Sequence, residues 1–190
     1  MNNKTIGFAI TGSFCTFKRV LSEMEALADT GINILPIMSA TAYSTDTRFG
    51  KAEDFINQIE KITGHSIIHT IADAEPIGPK DLLDALIIAP CTGNTLAKLA
   101  NGITDTSVTM AAKATLRNQK PVIIAVSTND GLGGSGKNIG LLHNTKNIYF
   151  VPYGQDDPIK KTNSLVADMS KITETLSLAL DGKQVKEILF

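Results

Sequence analysis

The chain has 190 residues, 43% of them hydrophobic, and its 18 basic and 19 acidic side chains leave a net charge of −1. That length buries a core without disulfides or metals, and the balanced charge, with no basic stripe interleaved with aromatics, argues against a nucleic-acid partner. No apolar run approaches the roughly 18 residues needed to cross a bilayer. The start MNNKTIGFAITG lacks a signal-peptide pattern, and Cys15, Cys91, His65, His69 and His143 show neither CxxC nor metal-ligand spacing. A cytoplasmic chain with reduced thiols and no metal centre is therefore expected.

Residues 5–10 (TIGFAI) are apolar on both faces, as a strand must be in a parallel sheet covered by helices on both sides. Phe14, Phe17, Val20, Leu21, Met24, Leu27 and Ala28 then fall at helical spacing, with Gly31 as the stop. Residues 32–38 (INILPIM) form a second strand, which Pro36 places at an edge or near a strand end, because proline donates nothing to a ladder. Residues 39–50 (SATAYSTDTRFG) read as a polar loop. Residues 52–63 form an amphipathic helix with Phe55, Ile56, Ile59 and Ile62 on one side. Residues 66–72 suit a short strand, and 75–79 (EPIGP) are irregular. Residues 85–89 (ALIIA) make the third strong strand, ended by Pro90. Thr92 caps the helix that follows, whose Leu96, Leu99 and Ala100 face inward and which closes at Gly102. Residues 106–118 form a further helix, 121–126 (PVIIAV) the fourth strand, 127–140 a Gly-rich loop and 147–151 the fifth strand. Residues 164–180 read as a closing helix with Leu165, Val166, Met169, Ile172 and Leu176 inward. The expected fold is α/β, three-layer and Rossmann-like (flavodoxin-like), with a mainly parallel sheet and right-handed crossovers in one domain over 1–190.

In open parallel sheets, ligands bind beyond the carboxyl ends of the strands. The four loops there begin Thr11-Gly12-Ser13, Ser39-Ala40-Thr41, Thr92-Gly93-Asn94-Thr95 and Ser127-Thr128-Asn129. Taken singly, such residues cap helices and turns. Four strand ends of one character point instead to a planar ligand bearing a phosphate. Gly12 lets the backbone come close, and Ser13 offers a hydroxyl at a helix start whose free N–H groups and dipole favour an anion. Between Gly131 and Lys137, GxGxxG and GxxxxGK patterns overlap. A P-loop needs Ser or Thr where Asn138 stands, and a dinucleotide fingerprint belongs after the first strand. The run therefore reads as a mobile lid.

Residues 10–13 (ITGS), Ser39 and above all residues 89–105 (APCTGNTLAKLANGITD) resemble the flavoproteins that group around the homo-oligomeric flavin-containing cysteine decarboxylases. The last stretch is similar to that family's Ala-Pro-x-Thr-x-Asn-Thr-x-x-Lys-x-Ala-x-Gly-x-x-Asp signature. The resemblance implies an FMN-type pocket, with Gly12, Ser13 and Ser39 around the phosphate and Thr92, Asn94 and Thr95 around the ribityl chain or ring. Thr11 and Thr41 complete that cofactor-binding set. Residues 44–50, 73–80, 110–130 and 153–161 (YGQDDPIKK) resemble more closely one branch of the family, whose members serve as one component of a two-component oxidoreductase. This implies a small dicarboxylate substrate, a partner chain carrying NADP, a chain inactive alone, and a homo-oligomer. Carboxylates call for cations, and Arg48 and Lys137 are the candidates, with Asn129 orienting the ring between them. The alternatives are a flavin-dependent decarboxylase of the same family and a non-catalytic scaffold. The decarboxylases carry Pro-x-Met-Asn where residues 126–129 (VSTN) keep only the Asn. They also use a His base ahead of the third strand, where His69 reads as a solvated loop or strand-end residue.

Overall fold

The computed structural model describes residues 3–190. Five strands, β1 (Thr5–Ile10), β2 (Asn33–Met38), β3 (Ala85–Cys91), β4 (Val122–Thr128) and β5 (Ile148–Phe150), run parallel in the spatial order β2-β1-β3-β4-β5. A hairpin of β6 (Tyr153–Asp157) and β7 (Lys161–Ala167) joins antiparallel, through β7 on the carboxyl end of β4. All of β3 and the last five residues of β1 are buried, which is why both read as unbroken apolar runs. β2 lies at the sheet edge, where Pro36 is tolerated.

The helices are α1 (Phe17–Ala28), α2 (Ala40–Ser44), α3 (Ala52–Thr63), α4 (Ile71–Ala74), α5 (Gly93–Ala100), α6 (Ser107–Arg117), α7 (Gly136–His143) and α8 (Ile172–Leu180). α1 packs with α8, and α6 with α4 and α5, over a core that runs from Ile6 to Ala179 and includes the fully buried Phe8, Phe17 and Phe150. The result is a three-layer α/β fold. Sequence sets the helix ends. Thr92 caps α5 by accepting from the Thr95 N–H, Thr106 and Thr109 cap α6 reciprocally, and Gly64 ends α3 at φ +69°.

Several expectations change. The loop at 39–50 begins with α2, because the Ser39 hydroxyl accepts the Ala42 N–H at 3.3 Å and supplies a cap. The strand expected at 66–72 is reduced to one bridge, Ile37 to Ile68, before Thr70 caps α4. β3 passes through Pro90 to Cys91, with an irregular register after Ile88 that spares the missing N–H. The closing helix is confined to α8. Residues 161–167 form β7 because Ser127 and Thr128 extend β4 beyond β5 and need a partner, which Val166 and Leu165 provide. The expected lid is instead a folded turn. Gly133 and Ser135 donate their N–H groups to the Asp130 carbonyl (2.8 and 3.2 Å), and the Leu132 N–H donates to the Asn163 carbonyl (3.0 Å).

Candidate functional site

β1 and β3 are neighbours whose crossovers leave in opposite directions, so their carboxyl ends part and open a crevice. A cleft of about 810 Å³ lies there. One wall is Gly12–Cys15 after β1 with Thr92, Gly93, Asn94 and Ala97 after β3. The other is residues 127–130, then Gly134, Ser135 and Asn138, then Asp156, Lys161, Ser164 and Val166 of the hairpin. Phe49 adds an aromatic ring to the lining.

Hydroxyls tie the floor together. Buried Thr11 donates to the Pro90 carbonyl at 2.7 Å and accepts the Thr92 N–H at 3.0 Å, joining the ends of β1 and β3. Ser13 and Ser127 share a 2.7 Å hydrogen bond between the loops after β1 and β4. Thr95 is buried behind Thr92, 3.2 Å from its hydroxyl. Thr11 and Thr95 thus build the floor, while Gly12, Ser13, Thr92 and Asn94 face the cleft.

Two features fit a phosphate-bearing group. The N–H groups of Phe14 and Cys15 open the 3-10 turn (Phe14–Thr16) that leads into α1, those of Gly93 and Asn94 open α5, and none takes a backbone acceptor among the described residues. A Cβ added at Gly12 would meet only Thr41 Cγ2 at 3.4 Å and the Phe14 ring at 3.6 Å. Both are ordinary contacts, so packing within the chain does not demand glycine there; the bare Cα leaves the cleft open instead. At Gly93 the reverse holds. A Cβ would fall 2.7 Å from Ser135 Oγ, 2.7 Å from Thr128 Oγ1 and 2.9 Å from Asp130 Oδ1.

The acidic lining is engaged within the chain, Asp130 by neutral hydroxyls that keep it charged and Asp156 by a cation that offsets its charge. The Thr128 and Ser135 hydroxyls donate to Asp130 and hold its carboxyl below the usual Asp range. Asp156 pairs with Lys161 and raises the ammonium's pKa. Among the described residues, Lys161 is the single cation of the lining.

Other residues singled out by sequence lie elsewhere. Ser39 spends its hydroxyl on the α2 cap, and exposed Thr41 sets a methyl group beside Gly12 but does not line the cleft. Arg48 is exposed, its guanidinium 4.9 Å above the Phe49 ring, and exposed Lys137 sits on α7; neither lines the cleft, whereas Asn129 does. His69 is half-buried, stacked on Tyr43 at 3.9 Å, also off the lining. Sequence reasoning missed Asp130, Ser135, Asn138, Asp156, Lys161 and Ser164. The stretch 153–161 signalled part of this set, but a helix placed at 164 hid the hairpin that brings Lys161 and Ser164 to one wall. Among the described residues no cluster of His, Cys, Asp or Glu could hold a metal ion, and no helix is long and apolar enough to cross a membrane.

The Flavoprotein family model matches residues 1–176. Over 189 residues the chain is 48% identical to the B subunit of dipicolinate synthase from Bacillus subtilis (strain 168), covering 100% of this chain and 94% of that protein. The crystal structure of the dipicolinate synthase B subunit from Bacillus halodurans C is similar with a TM-score of 0.92 at 49% identity, covering 100% of this chain and 98% of that one. The FMN-dependent cysteine decarboxylase SpaF shares the fold, with a TM-score of 0.66 at 23% identity over 93% of this chain and 97% of its own.

Proposed function

Because the chain belongs to the Flavoprotein family, we propose that its 190 residues work as one domain, the B subunit of a dipicolinate synthase. It assists oxidation of a dihydrodipicolinate-level precursor to dipicolinate during spore formation, in the cytoplasm of the mother cell. The observation that carries this reading is the full-length identity of 48% to a B subunit. A separate chain, the synthase's A subunit, supplies NADP, and this chain, a homo-oligomer, is inactive without it. No nucleic acid or membrane takes part.

The cleft chemistry supports FMN on this chain. The amides of the turn before α1 (Phe14 and Cys15) and of the head of α5 (Gly93 and Asn94) would hold the phosphate, with the Ser13 and Thr92 hydroxyls beside them and Gly12 leaving room. Phe49 and Val166 would cover a planar ring and exclude water. FMN, when bound, supplies reversible two-electron redox chemistry. Lys161 is the lining cation suited to a substrate carboxylate, and Asn129 would orient the ring. Arg48 and Lys137, outside the lining, would act at longer range by attracting a dianion towards the site.

The test mixes the two purified chains with precursor and NADP and follows dipicolinate. Both together should form it, and this chain alone should not. Equal activity from the partner chain alone would remove any catalytic role for this one.

A further inference from the structure

Asn138 stands in α7 where the Gly131–Lys137 pattern would require a magnesium-binding hydroxyl, and its own chemistry is distinct. It is only 5% exposed. Its backbone N–H donates to the Ser135 carbonyl at 3.1 Å, yet its side-chain amide has no hydrogen-bond partner among the described residues. No fully enclosed side-chain polar atom there lacks a partner, so the Asn138 amide must be open at its tip, and the cleft it lines is the opening. Apart from exposed Asn129, its polar neighbours on the same wall are committed. Ser135 and Thr128 donate to Asp130, Ser164 donates to the Thr128 carbonyl, and Lys161 pairs with Asp156. An amide held this tightly, with its free tip open only to the cleft, is placed to pair with whatever fills that cleft.

The carboxamide presents a donor and an acceptor side by side. A carboxylate would satisfy the NH2 group and leave Oδ1 facing negative charge. A ring carbonyl adjacent to a ring N–H satisfies both atoms at once. We propose that Asn138 binds the imide edge of a planar heterocycle, donating to a ring carbonyl and accepting from the neighbouring ring N–H. This rests on the FMN reading above, since the flavin ring carries such an edge, and it names the residue that would read that edge.

The test compares FMN with N3-methylated FMN, which lacks the imide N–H, on the full-length protein and on Asn138→Ala. Alanine suits a helix interior, so the variant should fold. The native protein should prefer FMN by about tenfold, the scale of one lost hydrogen bond in a desolvated site, and Asn138→Ala should lose that preference. A preference that survives in Asn138→Ala, or none in the native protein, would overturn the assignment. If neither flavin binds, the cofactor reading fails separately. Lumazine, a phosphate-free ring with the same edge, then decides through the Asn138 side-chain amide signal in NMR spectra. A shift would uphold the site, and no shift would overturn it.

Discussion

Gly93 is where two walls of the cleft touch. In most helix positions Gly→Ala stabilises by up to about 1 kcal/mol. Here the new methyl would lie within 2.9 Å of three oxygens, on Ser135, Thr128 and Asp130. Those side chains are mutually hydrogen-bonded and cannot move without breaking their own contacts. Gly93→Ala should therefore destabilise by about 1–3 kcal/mol, read as a lower urea midpoint at unchanged slope. A midpoint equal to or above the native one would show that the walls are not in contact. Sequence alone could not have found this pair. It revealed hydroxyls at four strand ends, but the direction of a hydroxyl is set by what lies opposite. Ser13 faces Ser127, from a loop 114 positions away, whereas Ser39 turns back to cap its own helix.

The parallel strands and the long helices were legible because each obeys one period over enough residues. The hairpin was not. Leu165, Val166 and Met169 satisfy a helical spacing, and a short apolar strand satisfies it as well; only the unpaired end of β4 decides for β7. The Gly-rich run misled for a related reason. Its composition suggests mobility, but its turn closes on Asp130, whose carbonyl accepts from Gly133 and Ser135 and whose carboxylate accepts from Thr128 and Ser135. The turn should thus respond to acid. Those hydroxyls hold the folded-state pKa of Asp130 below its ordinary 3.8. A depressed carboxyl contributes stability in full above its unfolded value and loses it as pH falls through the folded value. Native protein should lose more stability than Asp130→Asn on going from pH 6 into the range below about 3.8. Equal losses, measured as urea midpoints at the two pH values, would mean that the carboxylate does not hold the turn.

At the scale of the whole molecule, the cleft is assembled from segments far apart in sequence: the turn between β1 and α1, the head of α5, the β4 turn and the β6–β7 hairpin. Each segment is tied to the buried sheet at its base, but across the cleft the ties are few, among them the Ser13–Ser127 hydrogen bond and the packing of Gly93. A ligand that contacts both walls would add the missing cross-links in the folded state alone, because the unfolded chain has no cleft. Linkage then fixes the size of the effect. FMN at a hundred times its dissociation constant should stabilise by about 2.7 kcal/mol, or roughly 5–10 °C in Tm for a chain of this size. Riboflavin has the same ring but no phosphate for the amides of Phe14, Cys15, Gly93 and Asn94. At the same concentration it should raise Tm by less. A thermal scan with each compound separates the contributions. Equal shifts would remove the phosphate from those four amides while leaving a ring in the cleft, and no shift with either would remove flavin from this chain altogether.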